Sequence, residues 1–219
     1  MKRKIVIFAA LFIIIFSVPA YAHKPIFEGK DLIFSNPAVV PDYQISYAVY
    51  GELKTKEDVD FVKFSAKEKD TFYVEMTIPV IKGNEDFKPY IAIIGEGIKE
   101  KADLPFKIPQ SYGAIVLPPG PQNYFYEKFT QTAYYRAQSI RGEIPKSGDY
   151  YVAVYSYDRG GKYALSIGEK EKIGLIDIIT FPYIYLKVKY FFNPLKTVLI
   201  TGIVIIILIV IIKLIKKRR

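Results

Sequence analysis

One histidine, His23, stands among the 219 residues, and it directly follows Ala20-Tyr21-Ala22. That small-x-small spacing is the form of a leader-peptidase cut site. Cleavage there makes His23 the first residue of the mature chain. Its free α-amine and Nδ1 would then form a chelate suited to copper. Further ligands would have to come from carboxylates such as Glu28 and Asp31, from tyrosine, or from another subunit; the alternative is a solvated terminus whose imidazole does nothing special. The same scarcity bears on catalysis. A Ser-His-Asp triad or a multi-histidine zinc site needs histidines that the chain lacks, and the absence of cysteine removes thiolate chemistry and disulfides. Carboxylate-pair hydrolysis stays formally open with 22 acidic residues, but no pair is singled out. No Walker loop, dinucleotide fingerprint or nucleic-acid stripe is present. The chain therefore reads as a non-enzyme without a cofactor, with copper at His23 or calcium as alternatives. For calcium, Glu85 and Asp86 in "GNEDF" or Asp158 in "YDRGG" are candidates, although turn chemistry also accounts for them.

A second constellation is "NYFYEKFTQTAYYRAQ", Asn123 to Gln138. Strand alternation puts Tyr124 and Tyr126 on one face and Phe125 on the other. Tyr124, Tyr126, Tyr134 and Tyr135 are candidate ligand-binding residues, forming either a stacking surface for glycan or a partner protein, or core with amphipathic rim tyrosines.

These residues must be positioned by a chain with two basic ends. Most of the net charge of +9 sits on Lys2, Arg3 and Lys4 and on Lys213, Lys216, Lys217, Arg218 and Arg219. A near-neutral middle points to membrane topology and away from nucleic acid. "IVIFAALFIIIF" after "MKRK" reaches only ~18 Å as a helix, too short to span, so residues 1–22 read as a signal peptide. Thr197 to Ile212, extended past Lys213 to Leu214 and Ile215, gives about 28 Å and reads as a transmembrane helix over 195–215. The basic tail 216–219 places the C-terminus in the cytoplasm and residues 23 to about 192 outside the cell. The lysines and arginines at the tail are the membrane anchor's charged end, and lipid is the first expected partner.

From Gln44 to Gly168 the hydrophobic pattern alternates. "VDFVKFSA" puts Val59 and Phe61 on one face and Val62 and Phe64 on the other; "TFYVEMTIP", "YIAIIG", "GAIVLP", "DYYVAVYSY" and "KYALSIG" continue in the same manner. About nine strands separated by turn residues predict an all-β fold, an antiparallel β-sandwich or jelly roll over residues 23–171.

Asp60-Phe61, Gly148 to Val154 and Gly161 to Ile167 stand where the bacterial pre-peptidase C-terminal (PPC) domain carries an Asp-x-Phe/Tyr strand, a G-x-Y-Y-V-x-V strand and a closing G-x-Y-x-L-x-V strand. Residues 44–168 resemble that family. The resemblance implies a sandwich that assists binding, some members holding calcium or engaging extracellular polymers. Ile81 to Gly120 is longer and richer in proline than the family pattern, which implies an elaborated loop face. The position of His23 is also similar to that in lytic polysaccharide monooxygenases and periplasmic copper carriers, which add at least one further histidine.

Between sandwich and span lies "KIGLIDIITFPYIYLKVKYFFNP". Apolar residues recur there at helical spacing, while Asp177, Lys187 and Lys189 make a second span costly. Residues 172–194 therefore predict an amphipathic helix on the membrane, interrupted near Pro182, with a final strand plus linker or a segment docked on another membrane protein as alternatives. The expected function is a single-pass extracytoplasmic binding or accessory protein.

Overall fold

The computed structural model describes residues 23–217. The expected signal peptide 1–22 and the basic pair Arg218 and Arg219 lie outside the described residues. Among the described residues, eleven strands precede two helices: β1 Lys24–Phe27, β2 Ala38–Val39, β3 Tyr47–Leu53, β4 Val59–Ala66, β5 Thr71–Pro79, β6 Tyr90–Glu96, β7 Tyr112–Leu117, β8 Asn123–Glu127, β9 Thr132–Glu143, β10 Gly148–Tyr155, β11 Gly161–Ile167, α1 Leu175–Phe192 and α2 Pro194–Lys217. They build a sandwich of a six-stranded sheet, ordered β1-β3-β11-β5-β9-β8, and a five-stranded sheet, ordered β2-β4-β10-β6-β7.

The sandwich stands as the alternation predicts, with one refinement. β1 runs parallel to β3, and β2 parallel to β4. The first four strands alternate between the sheets, so each partner is reached by a crossover through the other layer, a route that yields parallel pairing.

β4 shows how the pleat distributes side chains. Val62 and Phe64 enter the core between the sheets, with Val49, Met76, Leu165 and Ile167 from the six-stranded sheet. Phe61 faces the outside of the five-stranded sheet, where Ala92, Ala153 and Tyr155 lie buried beneath Phe34, Leu104, Phe106 and Ile108. The proline-rich stretch after β6 is thus a lid over that sheet, the elaborated loop face expected.

The opposite outer face is covered by α1. Val188 and Phe192 are buried against Ala48, Tyr50, Tyr134 and Ala164, with Phe27, Phe125, Ile184 and Phe191 packed around them. The interruption expected at Pro182 does not occur: α1 is continuous from Leu175 to Phe192 with Pro182 inside it. The ring removes one helical hydrogen bond, while the flanking turns are held by Phe181 on Phe129 at 4.2 Å and by the docked Val188 turn. Asn193, at φ −148 and ψ 79, breaks the helix before Pro194. The residue before a proline is pushed out of the α region, and proline suits a first helical turn. Then follows a stretch long and apolar enough to cross a membrane, Pro194–Leu214.

In the core, Tyr163 of β11 pairs with Gly51 of β3, and its ring occupies the space above that glycine. A Cβ at Gly51 would stand 2.3 Å from the Tyr163 hydroxyl. Gly51→Ala is therefore expected to cost about 1–3 kcal/mol by overpacking, read as a lowered denaturation midpoint of the detergent-purified chain. Gly29→Ala, which meets nothing within 4 Å, is the matched control and should leave the midpoint in place.

Candidate functional site

The even-numbered positions of β4 point into the sandwich, and the first of them is a carboxylate. Asp60 is fully buried. Its Oδ2 accepts a hydrogen bond from the Tyr163 hydroxyl at 2.7 Å, across the two sheets. Its Oδ1 is buried and has no hydrogen-bond partner. Buried polar atoms are satisfied in the great majority of cases, so an orphaned carboxylate oxygen calls for an explanation.

The residues around it supply one. Glu28, just past the end of β1, and Asp31 in the following turn each bring a carboxylate oxygen to Asp60, and the three ligand atoms lie within 4.8 Å of one another. Oxygens sharing a calcium ion at the usual ~2.4 Å can be at most about 4.8 Å apart, so the spacing fits. Glu28 Oε2 accepts the Glu52 amide at 2.7 Å, which orients that carboxylate. The Lys54 ammonium sits 2.9 Å from Asp31 Oδ1 and supplies one balancing charge from an exposed position.

Burial dominates the electrostatics here. Desolvation raises Asp60 to about 8; the Tyr163 hydroxyl opposes the shift, while Glu28, Asp58 and Asp31 add to it. Glu28 is also raised, again chiefly by desolvation, against the pull of the Glu52 amide and Lys54. Burial and the facing Asp60 together hold the Tyr163 phenol well above its ordinary value. Hard oxygen donors around a group that resists ionising without a counter-charge suit a divalent cation such as calcium, which reverses the local titration logic when bound.

The residues singled out in the sequence fall elsewhere. His23 lies just before β1, with Nδ1 hydrogen-bonded to Ser46 Oγ. Its proposed companions Glu28 and Asp31 are at the far end of β1, roughly 16 Å along an extended strand for Glu28, and join Asp60 instead. Glu85 accepts the Gly83 amide at 2.8 Å and Asp86 faces Arg159 at 4.0 Å, so these acids serve their turns. The aromatic cluster divides. Tyr124 and Tyr126 are exposed on β8, while Tyr134 is buried beneath α1, stacked on Phe125 at 5.6 Å. Tyr135 is half-buried and meets Tyr124 edge-on at 6.1 Å. In the anchor, Thr197 Oγ1 donates to the Asn193 carbonyl, and Ile212, Lys213 and Lys216 are exposed along α2, which ends at Lys217. What sequence reasoning missed is the acidic trio. Its signal lies in the sequence: Asp60 marks a strand, and Glu28 and Asp31 are acids near the start.

No family model and no curated protein sequence matches the chain. Among solved structures it is similar to PliG of Aeromonas hydrophila, a periplasmic lysozyme inhibitor of g-type lysozyme, at 15% identity over 67% of this chain and 98% of that one, with a TM-score of 0.37. PliG of Salmonella Typhimurium, with the same description, matches at 16% identity over 68% and 100%, TM-score 0.34. The pre-peptidase C-terminal domain of a Bacillus anthracis collagenase matches at 13% identity over 68% and 97%, TM-score 0.30. A solved PPC domain, the family that residues 44–168 resemble, is therefore among these matches, and the likeness is loose.

The raised Asp60 sets a pH dependence. A carboxyl titrating near 8 when folded and near 3.8 in its ordinary state keeps a proton that the unfolded chain releases. Between those values the folded state binds more protons, so stability falls as pH rises, by up to about 1.4 kcal/mol per pH unit. In chelator, the unfolding free energy of the full chain should decline from pH 5 to pH 8. Asp60→Asn, which keeps an acceptor for Tyr163, should flatten that slope.

Proposed function

We propose that the chain is a membrane-anchored extracytoplasmic binding or accessory protein that works without catalysis, its sandwich held in a fixed pose by the α1–α2 pair. The docking of Val188 and Phe192 on the six-stranded sheet carries this reading. A head that only captures freely diffusing ligand needs no more than a flexible tether. Here the last turn before the apolar helix is buried in the head, and the Lys162 ammonium reaches the Phe191 carbonyl at 2.5 Å. Such coupling serves a protein whose surface must meet a neighbour at a set height above the bilayer. The surface offered is the β8 edge with Tyr124 and Tyr126, where a partner protein or a glycan would stack. Protease added to intact cells should digest the head while the cytosolic tail is spared. Crosslinking in the membrane should give a defined adduct, lost when Val188 and Phe192 are both replaced by Asp; an unchanged adduct pattern in that variant would refute the fixed pose.

The orphaned oxygen of Asp60 favours a second reading of the head: it is a calcium-binding module. Glu28, Asp31 and Asp60 would hold the ion, which supplies charge neutralisation and clamps the segment after β1 to the sandwich. At pH 8, calcium in place of chelator should raise the melting temperature of the full chain, as a ligand bound only by the folded state must, and Asp60→Asn should abolish the rise. A melting temperature indifferent to calcium would dismiss the ion without touching the anchoring.

A further inference from the structure

α1 carries two apolar stripes on one helix. Val188, Phe192, Ile184 and Phe181 recur at spacings of three or four and face the sheet and Phe129. Leu175, Ile179, Tyr183, Leu186 and Tyr190, at spacings of four, four, three and four, form a second line, and neighbouring Ile176 widens it. At 100° per residue the second stripe occupies one side of the helix, turned away from the first. Its members are 42–80% exposed. No charged residue lies within it. Asp177 caps the Gly174 amide at 2.8 Å. Lys187 flanks one border, its ammonium over the rings of Phe27 at 4.4 Å and Tyr183 at 5.9 Å. Lys189 flanks the other border and bonds the Gln131 carbonyl and Thr132 Oγ1.

We infer that this outer stripe lies in the headgroup boundary of the membrane that α2 crosses, so that α1 is a two-sided helix with the sheet on one face and lipid on the other. The inference rests on α2 being a span, the reading proposed above. Chain continuity names the occupant. Asn193 alone separates α1 from Pro194, where the apolar stretch begins. Tyr190 therefore stands within a turn of the point where the chain enters the bilayer. Because Asn193 breaks the helix, α1 need not follow the direction of α2. The residue types agree: tyrosines within the stripe and lysines at its borders are those of interfacial helices, which bury their apolar face about 5–10 Å deep. An 18-residue helix extends about 27 Å, enough to fix the head's tilt. The six-stranded sheet then faces the bilayer, and the five-stranded sheet with its loop lid faces away.

The chain has no cysteine, so single labels can be introduced cleanly. The full-length protein in phosphatidylcholine vesicles, labelled with a fluorophore at Ile179→Cys, Leu186→Cys, Ile205→Cys or Val39→Cys, would be titrated with lipid-borne nitroxide quenchers. Val39 is an exposed position on β2 of the far sheet. The expected result is several-fold stronger quenching at 179 and 186 by a shallow nitroxide than at 39, and strongest quenching at 205 by a deep one. Quenching at 205 with water-like behaviour at 179 and 186 would overturn the interfacial helix and leave the span intact. Shielding of 179 and 186 from lipid, together with crosslinks between copies at those positions, would overturn it in favour of a dimer. Absence of quenching at 205 would overturn the span itself, and this inference with it.

Discussion

The contact on which the architecture depends is that of two side chains, Val188 and Phe192, with the outer face of the six-stranded sheet. That face presents Ala48, Tyr50, Tyr134 and Ala164, a surface that a solvated sheet would not carry. Burying a phenylalanine and a valine is worth on the order of 2–3 kcal/mol each, and the rings of Phe27, Tyr50, Phe191 and Phe192 add edge-on and stacked pairs. Because α1 continues into the apolar helix after one residue, on the proposed reading the energy that completes the fold would also set the head's position on the membrane. Folding and placement would then be one event.

Asp60 sets the opposing demand. A carboxylate in the inner layer of a sandwich costs stability unless something neutralises it. The structure concentrates support on one oxygen, through Tyr163 and the vacancy of a side chain at Gly51 that admits its ring. The other oxygen has no hydrogen-bond partner, and the same carboxyl group lies in a cluster with Glu28 and Asp31. These two acids sit on the segment joining β1 to β2, which passes from one sheet to the other. A cation there would tie the crossover down where the short strands β1 and β2, four and two residues long, give little hydrogen-bonded support.

Much of this was legible in the residues, and the failures have physical causes. The boundaries of β4 and β5 follow from period-two alternation in β-branched and aromatic residues, and both outlets of that alternation are filled as expected. β1 and β2 were not seen because they are too short to show a period and exist through parallel partners distant in sequence. α1 was visible from its spacing, yet its continuity through Pro182 was not, since local propensity says nothing of the Phe129 and Tyr50 rings that hold it. The aromatic cluster after Asn123 divides by the pleat: Phe125 pairs with Tyr134 beneath α1, and Tyr124 pairs with Tyr135 on the other face, a cross-strand register that the sequence does not show. The acidic trio required knowing that a residue near the start meets one about thirty positions later, which only the crossover topology supplies.

With α1 over one outer face and the loop carrying Leu104, Phe106 and Ile108 over the other, the sandwich has little open surface except at its edges. Those edges differ. β1 carries Pro25, which removes a donor; β2 has two residues; β7 is bridged by Lys101 to Ala114. β8 has five residues, and among the described residues its other side bears no strand. An unpaired edge is a liability that proteins blunt unless it is used. Here the exposed side chains along it are Asn123, Tyr124 and Tyr126 rather than lysines. The β8 edge thus combines free backbone groups with amphipathic rings, and α1 also packs against its neighbour β9 through Tyr134 and Phe192. On the proposed reading the partner surface and the membrane surface share one sheet, so tilting the head on the bilayer would move the edge that meets the partner.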